Sequence, residues 1–257
     1  MVPIRDINNP TRSTAYVTYG LIIINVLVFI YQLTLMNPAI QTPQGIEFPR
    51  LNDFFDTWAI VPAELTAGLS GSTRYSLGPE ALTLVTSQFL HGGWLHLGGN
   101  MLYLWIFGNN VEDEMGHSRF LVFYLLCGVL AGLAQFFFAP ESTVPSLGAS
   151  GAIAGVLGAY VLRFPQVRIL ALVPIFLYFF TFQVPAIVFL GFWFVQQAFY
   201  GFASLGAPVN IGMESGGIAY WAHAGGFVVG AVLGPLFGLF SGAGTKTFVG
   251  ETTNLEN

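Results

Sequence analysis

Two short strings far apart in this sequence hold the side chains best suited to nucleophilic chemistry. Residues 148–151 read Gly-Ala-Ser-Gly, and residues 222–226 read Ala-His-Ala-Gly-Gly. Each lies in a long apolar stretch, where polar groups are costly and an ionisable residue is a functional candidate by default. Ser150 and His223 together would make an activated nucleophile, the imidazole accepting the hydroxyl proton as the oxygen attacks a carbonyl. A third string, residues 91–100, reads His-Gly-Gly-Trp-Leu-His-Leu-Gly-Gly-Asn. Its four-residue step puts His96 and Asn100 on one helical face, two hydrogen-bond donors aimed the same way. Taken singly, each string has an ordinary reading: a serine between glycines packs against a neighbouring helix, and His and Asn act as interhelical glue. His91, nearer the preceding loop, reads as structural.

The elements that would carry Ser150 and His223 bring them to a common depth. Ala149 to Arg163 covers only about 22 Å as a helix, less than the roughly 30 Å of bilayer hydrocarbon. With Arg163 at one surface, Ser150 lies several ångströms below the other. A helix entering from that second surface near Gly217 carries His223 to a depth of about 9 Å. Gly151, Gly155 and Gly158 share a face of the first helix, and His223 falls on or beside a face formed by Ala219, Gly226, Gly230 and Gly234. Small residues let helix backbones approach closely. A buried imidazole needs a partner, and a serine at the same depth on a facing helix supplies one.

Of the 257 residues, 54% are hydrophobic and 8% charged, against about a quarter charged in soluble domains, so the solvent is largely lipid. Apolar spans fall at about 16–36, 94–111, 119–138, 149–163, 185–203 and 217–240. Lipid cannot satisfy exposed backbone groups and the runs are too long for barrel strands, so all six are expected to be helices. The expected fold is an all-α membrane protein. It comprises a tail (1–15), one membrane domain (16–240) with a long external loop from Asn37 to Gly93, and a polar, disordered tail (241–257). Tyr16–Met36 is too long for a signal-peptide core and lacks a convincing cleavage site. The aromatic-rich stretch Ile169–Val184, closed by Pro185, reads as an interfacial or re-entrant lead into the fifth helix rather than a seventh span. With six spans, Arg5, Arg12, Arg119, Arg163, Arg168 and Lys246 share one side, leaving Arg50 and Arg74 on the other. The positive-inside rule then makes both termini cytoplasmic.

Other chemistries find little support. The lone Cys127 permits no disulfide framework and reads as a small core packer. A net charge of −5, thinly spread, offers no basic stripe for nucleic acid. Glu112, Asp113, Glu114 and His117 could suggest a metal site, but a solvated loop explains them better. No phosphate-binding glycine loop or cysteine-based metal spacing appears, and no cofactor or metal is expected.

From about Leu82 to Leu239 the chain resembles the rhomboid family of intramembrane serine proteases. The resemblance rests on four strings in order: His91 to Met101, Phe107-Gly-Asn-Asn-Val-Glu112, Gly148-Ala-Ser150-Gly151 and Ala222-His223-Ala-Gly-Gly226. It implies a six-helix bundle around a water-filled cavity open to the external side, with a Ser–His dyad and no third acid. On this likeness Ser150 attacks the scissile carbonyl and His223 takes its proton. His96 and Asn100, with the backbone N–H of Ser150, form the oxyanion hole, and Glu112 is structural. Implied substrates are single-span membrane proteins cut in or near their transmembrane segments, and the implied place is a lipid bilayer, expected to be a prokaryotic cell membrane. A catalytically inactive relative that binds membrane clients is the closest alternative. The chain departs from some members in two places. Leu82-Thr83 stands for a Trp-Arg pair in the external loop. Ala154 stands for an aromatic residue against the catalytic histidine, whose orientation would then fall to Tyr220 or Trp221.

Overall fold

A computed structural model of the chain describes residues 1–43, 45–176, 178–205 and 219–241. The opening of the expected sixth span at 217–218, Lys246 and the tail beyond Ser241 lie outside the described residues. The chain opens with strand β1 (Val2–Ile7) and helix α1 (Tyr16–Leu35). A small hairpin, β2 (Ile40–Thr42) and β3 (Gly45–Glu47), leads to three short helices, α2 (Pro49–Trp58), α3 (Pro62–Leu69) and α4 (Leu77–Thr86). Helix α5 (Trp94–Tyr103) continues through a π-turn at Leu104–Gly108 into α6 (Asn109–Met115). Then come α7 (His117–Phe138), α8 (Ser150–Arg163), the hairpin β4 (Arg168–Ile175) and β5 (Tyr178–Pro185), α9 (Ala186–Ser204) and α10 (Tyr220–Leu236).

Each of the six expected spans contains a helix: α1, α5 continuing into α6, α7, α8, α9 and α10. By length and composition, α1, α7 and α9 are long and apolar enough to cross a membrane, and α8 is a shorter apolar helix. Helix α8 is the centre of the molecule, buried at every residue from Gly151 to Tyr160 and packed against α7, α9 and α10. Small residues make this possible. A Cβ added at Gly230 would fall on the backbone of Gly155, and one at Gly158 on the carbonyl of Phe227, so α8 and α10 touch backbone to backbone. Around this centre, α1 and α9 turn Ile23, Ile24, Leu27, Ile30, Val188, Phe192, Val195 and Phe199 outward, a surface suited to lipid and not to water.

Three features differ from the all-α expectation. Ile169–Val184 is a β-hairpin, paired from Arg168↔Pro185 to Ile175↔Tyr178, and not a helix. An apolar run of this length does not separate strand from helix by periodicity, and its Phe- and Tyr-rich composition favours the strand. The outer edge of β4 pairs antiparallel with β1, giving a three-stranded sheet ordered β1-β4-β5, so the N-terminal stretch belongs to the folded body. The segment from Asn37 to Gly93 holds α2, α3, α4 and the β2–β3 hairpin, and it is tied to the approach to Ser150 by paired hydrogen bonds between Ile60 and Ser146 (3.0 and 2.7 Å).

Candidate active site

Ser150 is the first residue of α8, and the helix can start there because Gly148 adopts a φ of +124°, a conformation open to glycine but strained for other residues. Gly148 N–H donates to Ser87 O at 2.9 Å, pinning the turn to the segment that precedes α5. Ser150 thus sits at a helix N-terminus, where the first N–H groups lack intrahelical partners and the dipole favours negative charge.

His223 lies one turn into α10, and its Nε2 is 2.8 Å from Ser150 Oγ. The contact crosses the α8–α10 seam where Gly226 meets the backbone of Gly151, so close packing sets the distance. The other ring nitrogen, Nδ1, is 2.8 Å from Oε1 of Gln197 on α9, and the Trp193 ring lies 5.8 Å from the imidazole. Tyr220 and Trp221, the residues expected to orient His223, go elsewhere: Tyr220 packs against Tyr200, and Trp221 stacks on Phe138. Gln197 was open to discovery in the sequence as a polar residue inside an apolar span. Its amide carries no charge and stands next to a second glutamine, Gln196, which masks the signal.

His96 and Asn100 converge on Gly148. A Cβ at Gly148 would stand 2.7 Å from His96 Nε2 and 3.6 Å from Asn100 Nδ2, so glycine is required here for space as well as for φ. Buried His91 holds Asn100 through an Nδ2···Nε2 contact of 2.9 Å, and its own backbone is clamped by Gln32. A cavity of about 30 Å³ opens beside Ser150, lined by Gln88, Gly128, Ala131, Gly132, Ser146 and Ala222 among others. That is room for a water molecule or a small side chain.

At the far end of α8 the acidic cluster is not a solvated loop. Glu112 is 0% exposed and Glu114 is buried. The Glu112 carboxylate accepts from Val17 N (2.9 Å), Thr18 N (2.8 Å) and Thr18 Oγ1 (2.7 Å), and it also meets His117 Nδ1. It therefore caps the start of α1 from a distant segment and is fully engaged in doing so. Glu114 bridges Arg12 and Arg163, each at 3.3 Å.

An apolar helical bundle holding a serine hydroxyl against an imidazole, with side-chain donors beside the serine, is a membrane protein with the constellation of a serine hydrolase. Comparison with known proteins agrees with that class. The Rhomboid domain family model matches residues 78–240, and the chain belongs to the rhomboid family. It is 32% identical over 157 residues to Rhomboid protein 1, mitochondrial, of Saccharomyces cerevisiae, covering 60% of this chain and 41% of the yeast protein. Over 95 residues it is 38% identical to Rhomboid-like protein 11, chloroplastic, of Arabidopsis thaliana, covering 37% of this chain and 34% of the plant protein. Over 76 residues it is 49% identical to Rhomboid protease GluP of Bacillus subtilis, covering 30% of this chain and 14% of that protein. The chain thus spans less than half the length of these relatives. Their names are mitochondrial, chloroplastic and bacterial, which leaves the expectation of a prokaryotic membrane without support.

Proposed function

We propose that this protein is an intramembrane serine endopeptidase that cleaves single-span membrane proteins in or near their transmembrane segments. The observation that carries the reading is the 2.8 Å Ser150 Oγ to His223 Nε2 contact at the seam of two apolar helices. His223 takes the hydroxyl proton as Ser150 attacks the scissile carbonyl, then returns it to the leaving amine, and water hydrolyses the acyl-enzyme by the reverse exchange. The developing oxyanion would be met by His96, Asn100 and the N–H of Ser150.

Six membrane-crossing helices, with α5 and its continuation to about Val111 as the second and α10 as the last, fit this reading. Arg5, Arg12, Arg163 and Arg168 gather at the end of α8 opposite Ser150, and the positive-inside rule makes that end, with both termini, cytoplasmic. Ser150 then opens to the external side, beneath the segment from Asn37 to Gly93. A substrate helix must unwind to present a carbonyl there, so segments with small or helix-breaking residues near the external surface are the expected substrates. The test is cleavage of a panel of tagged single-span proteins by wild type and by Ser150→Ala. Cleavage by wild type alone supports the reading, and cleavage by neither would favour a protein that binds membrane clients without cutting them.

A further inference from the structure

We infer that Gln197 is a positioning residue for His223, accepting its Nδ1–H and so holding the imidazole in the tautomer that leaves Nε2 free to take the Ser150 proton; this rests on the reading of Ser150 and His223 given above. A neutral imidazole carries one proton on one of two nitrogens. Only the form with its proton on Nδ1 has a lone pair at Nε2, the nitrogen 2.8 Å from Ser150 Oγ. A buried N–H without an acceptor is costly, and the carbonyl oxygen of Gln197, 2.8 Å from Nδ1, is placed to receive it.

The position of Gln197 on α9 supports the assignment. Leu190, Gln197 and Gly201 are buried along one stripe of α9, while Phe192, Val195 and Phe199 are exposed. A polar side chain in an otherwise apolar inward stripe is costly unless it is hydrogen-bonded, and this one reaches the imidazole. One turn earlier on the same face, Trp193 sets its ring 5.8 Å from the His223 ring. Both contacts come from α9, and Ala154 on α8 offers no ring to lean on. A glutamine differs from an acid in this role. It fixes tautomer and orientation, and it keeps its hydrogen bond when His223 becomes imidazolium, but it adds no charge to the pair.

The test compares Gln197→Met, which keeps length and packing but removes the acceptor, with Gln197→Glu, which keeps one. On the purified full chain, kcat and KM for a single-span substrate, the rate of Ser150 labelling by a fluorophosphonate, and the melting temperature are measured together. Gln197→Met should lower kcat and labelling rate about 10- to 100-fold, a fraction of the usual worth of a general base, with KM within about 2-fold. Gln197→Glu should recover most of that loss. Wild-type kcat and labelling per folded Gln197→Met molecule, with or without a lower melting temperature, would reduce Gln197 to interhelical packing and overturn the inference. Equal impairment of Gln197→Glu and Gln197→Met would overturn it as well. A wild type that neither cleaves nor labels would instead remove the proposed function and this inference together.

Discussion

The two ends of α8 are held by different physics. At the Ser150 end, shape sets position: α8 and α10 meet backbone to backbone where Gly226 faces Gly151 and Gly230 faces Gly155, and the groups around the serine are imidazoles, amides and glycines. At the Arg163 end, charge sets position: Arg163 and Arg12 reach Glu114, Arg12 also reaches Asp113 at 3.1 Å, and Glu112 caps α1. The lesson is a division of labour. The reactive side chains are mounted on a seam that glycines hold shut, so they should be replaceable without unfolding, whereas the seam and the buried Glu112 should not tolerate change.

The largest effect is expected at the seam. Gly230→Val would put side-chain atoms on the backbone of Gly155, a clash no rotamer relieves, and should cost more than about 4 kcal/mol, the exceptional range for one substitution. Loss of the folded species by size exclusion and thermal melting in detergent is the expected result. A folded Gly230→Val variant of wild-type stability would show that the helices can part. At the charged end, Glu112→Ala strands two backbone N–H groups, a hydroxyl and His117. At roughly 1–3 kcal/mol for each buried group left unsatisfied, the melting temperature should drop clearly while turnover per folded molecule stays near wild type. A drop in turnover with an unchanged melting temperature would place Glu112 in the chemistry instead.

Asn100→Ala should behave in the opposite way. The oxyanion is absent from the ground state, so losing one donor should depress kcat on the order of 10- to 1000-fold with little change in apparent affinity. A destabilised variant with normal turnover per folded molecule would return His96 and Asn100 to interhelical glue. The smallest effect concerns pH. Burial pushes the Asp113 carboxyl up, but hydrogen bonds from Ser13 and Arg12 prevail and hold it below its ordinary 3.8. A folded-state value depressed in this way contributes stability that is present above the ordinary value and lost as pH falls through the folded one. Asp113→Asn should therefore flatten the acid limb of the stability curve below about pH 4, by well under 1 kcal/mol for a partly exposed pair. An unchanged acid limb would mean that the pair contributes nothing measurable.

The contrast between the two ends also explains what could be read from the sequence. Ser150, His223, His96 and Asn100 stand out because lipid makes polar residues conspicuous, and the glycine stripes beside them announce close packing. The burial of Glu112 is invisible locally, since its partners Val17 and Thr18 lie more than ninety residues earlier. The β4–β5 hairpin hides for a similar reason. The period of its apolar run does not separate a helix from a strand, and the pairing of β4 with β1 joins residues more than 160 positions apart in the chain. Gln197 escaped because nothing in α9 alone indicates that His223 of another helix needs an acceptor.

The central claim is that Ser150 is a nucleophile activated by His223. The most direct measurement is labelling of the purified chain by a fluorophosphonate, with the modified residue located by peptide mass spectrometry, on wild type, Ser150→Ala and His223→Ala preparations of matched melting temperature. The account predicts modification at Ser150 in wild type and none above background in either variant. A folded wild type that resists labelling, or a His223→Ala variant labelled at the wild-type rate, would contradict it.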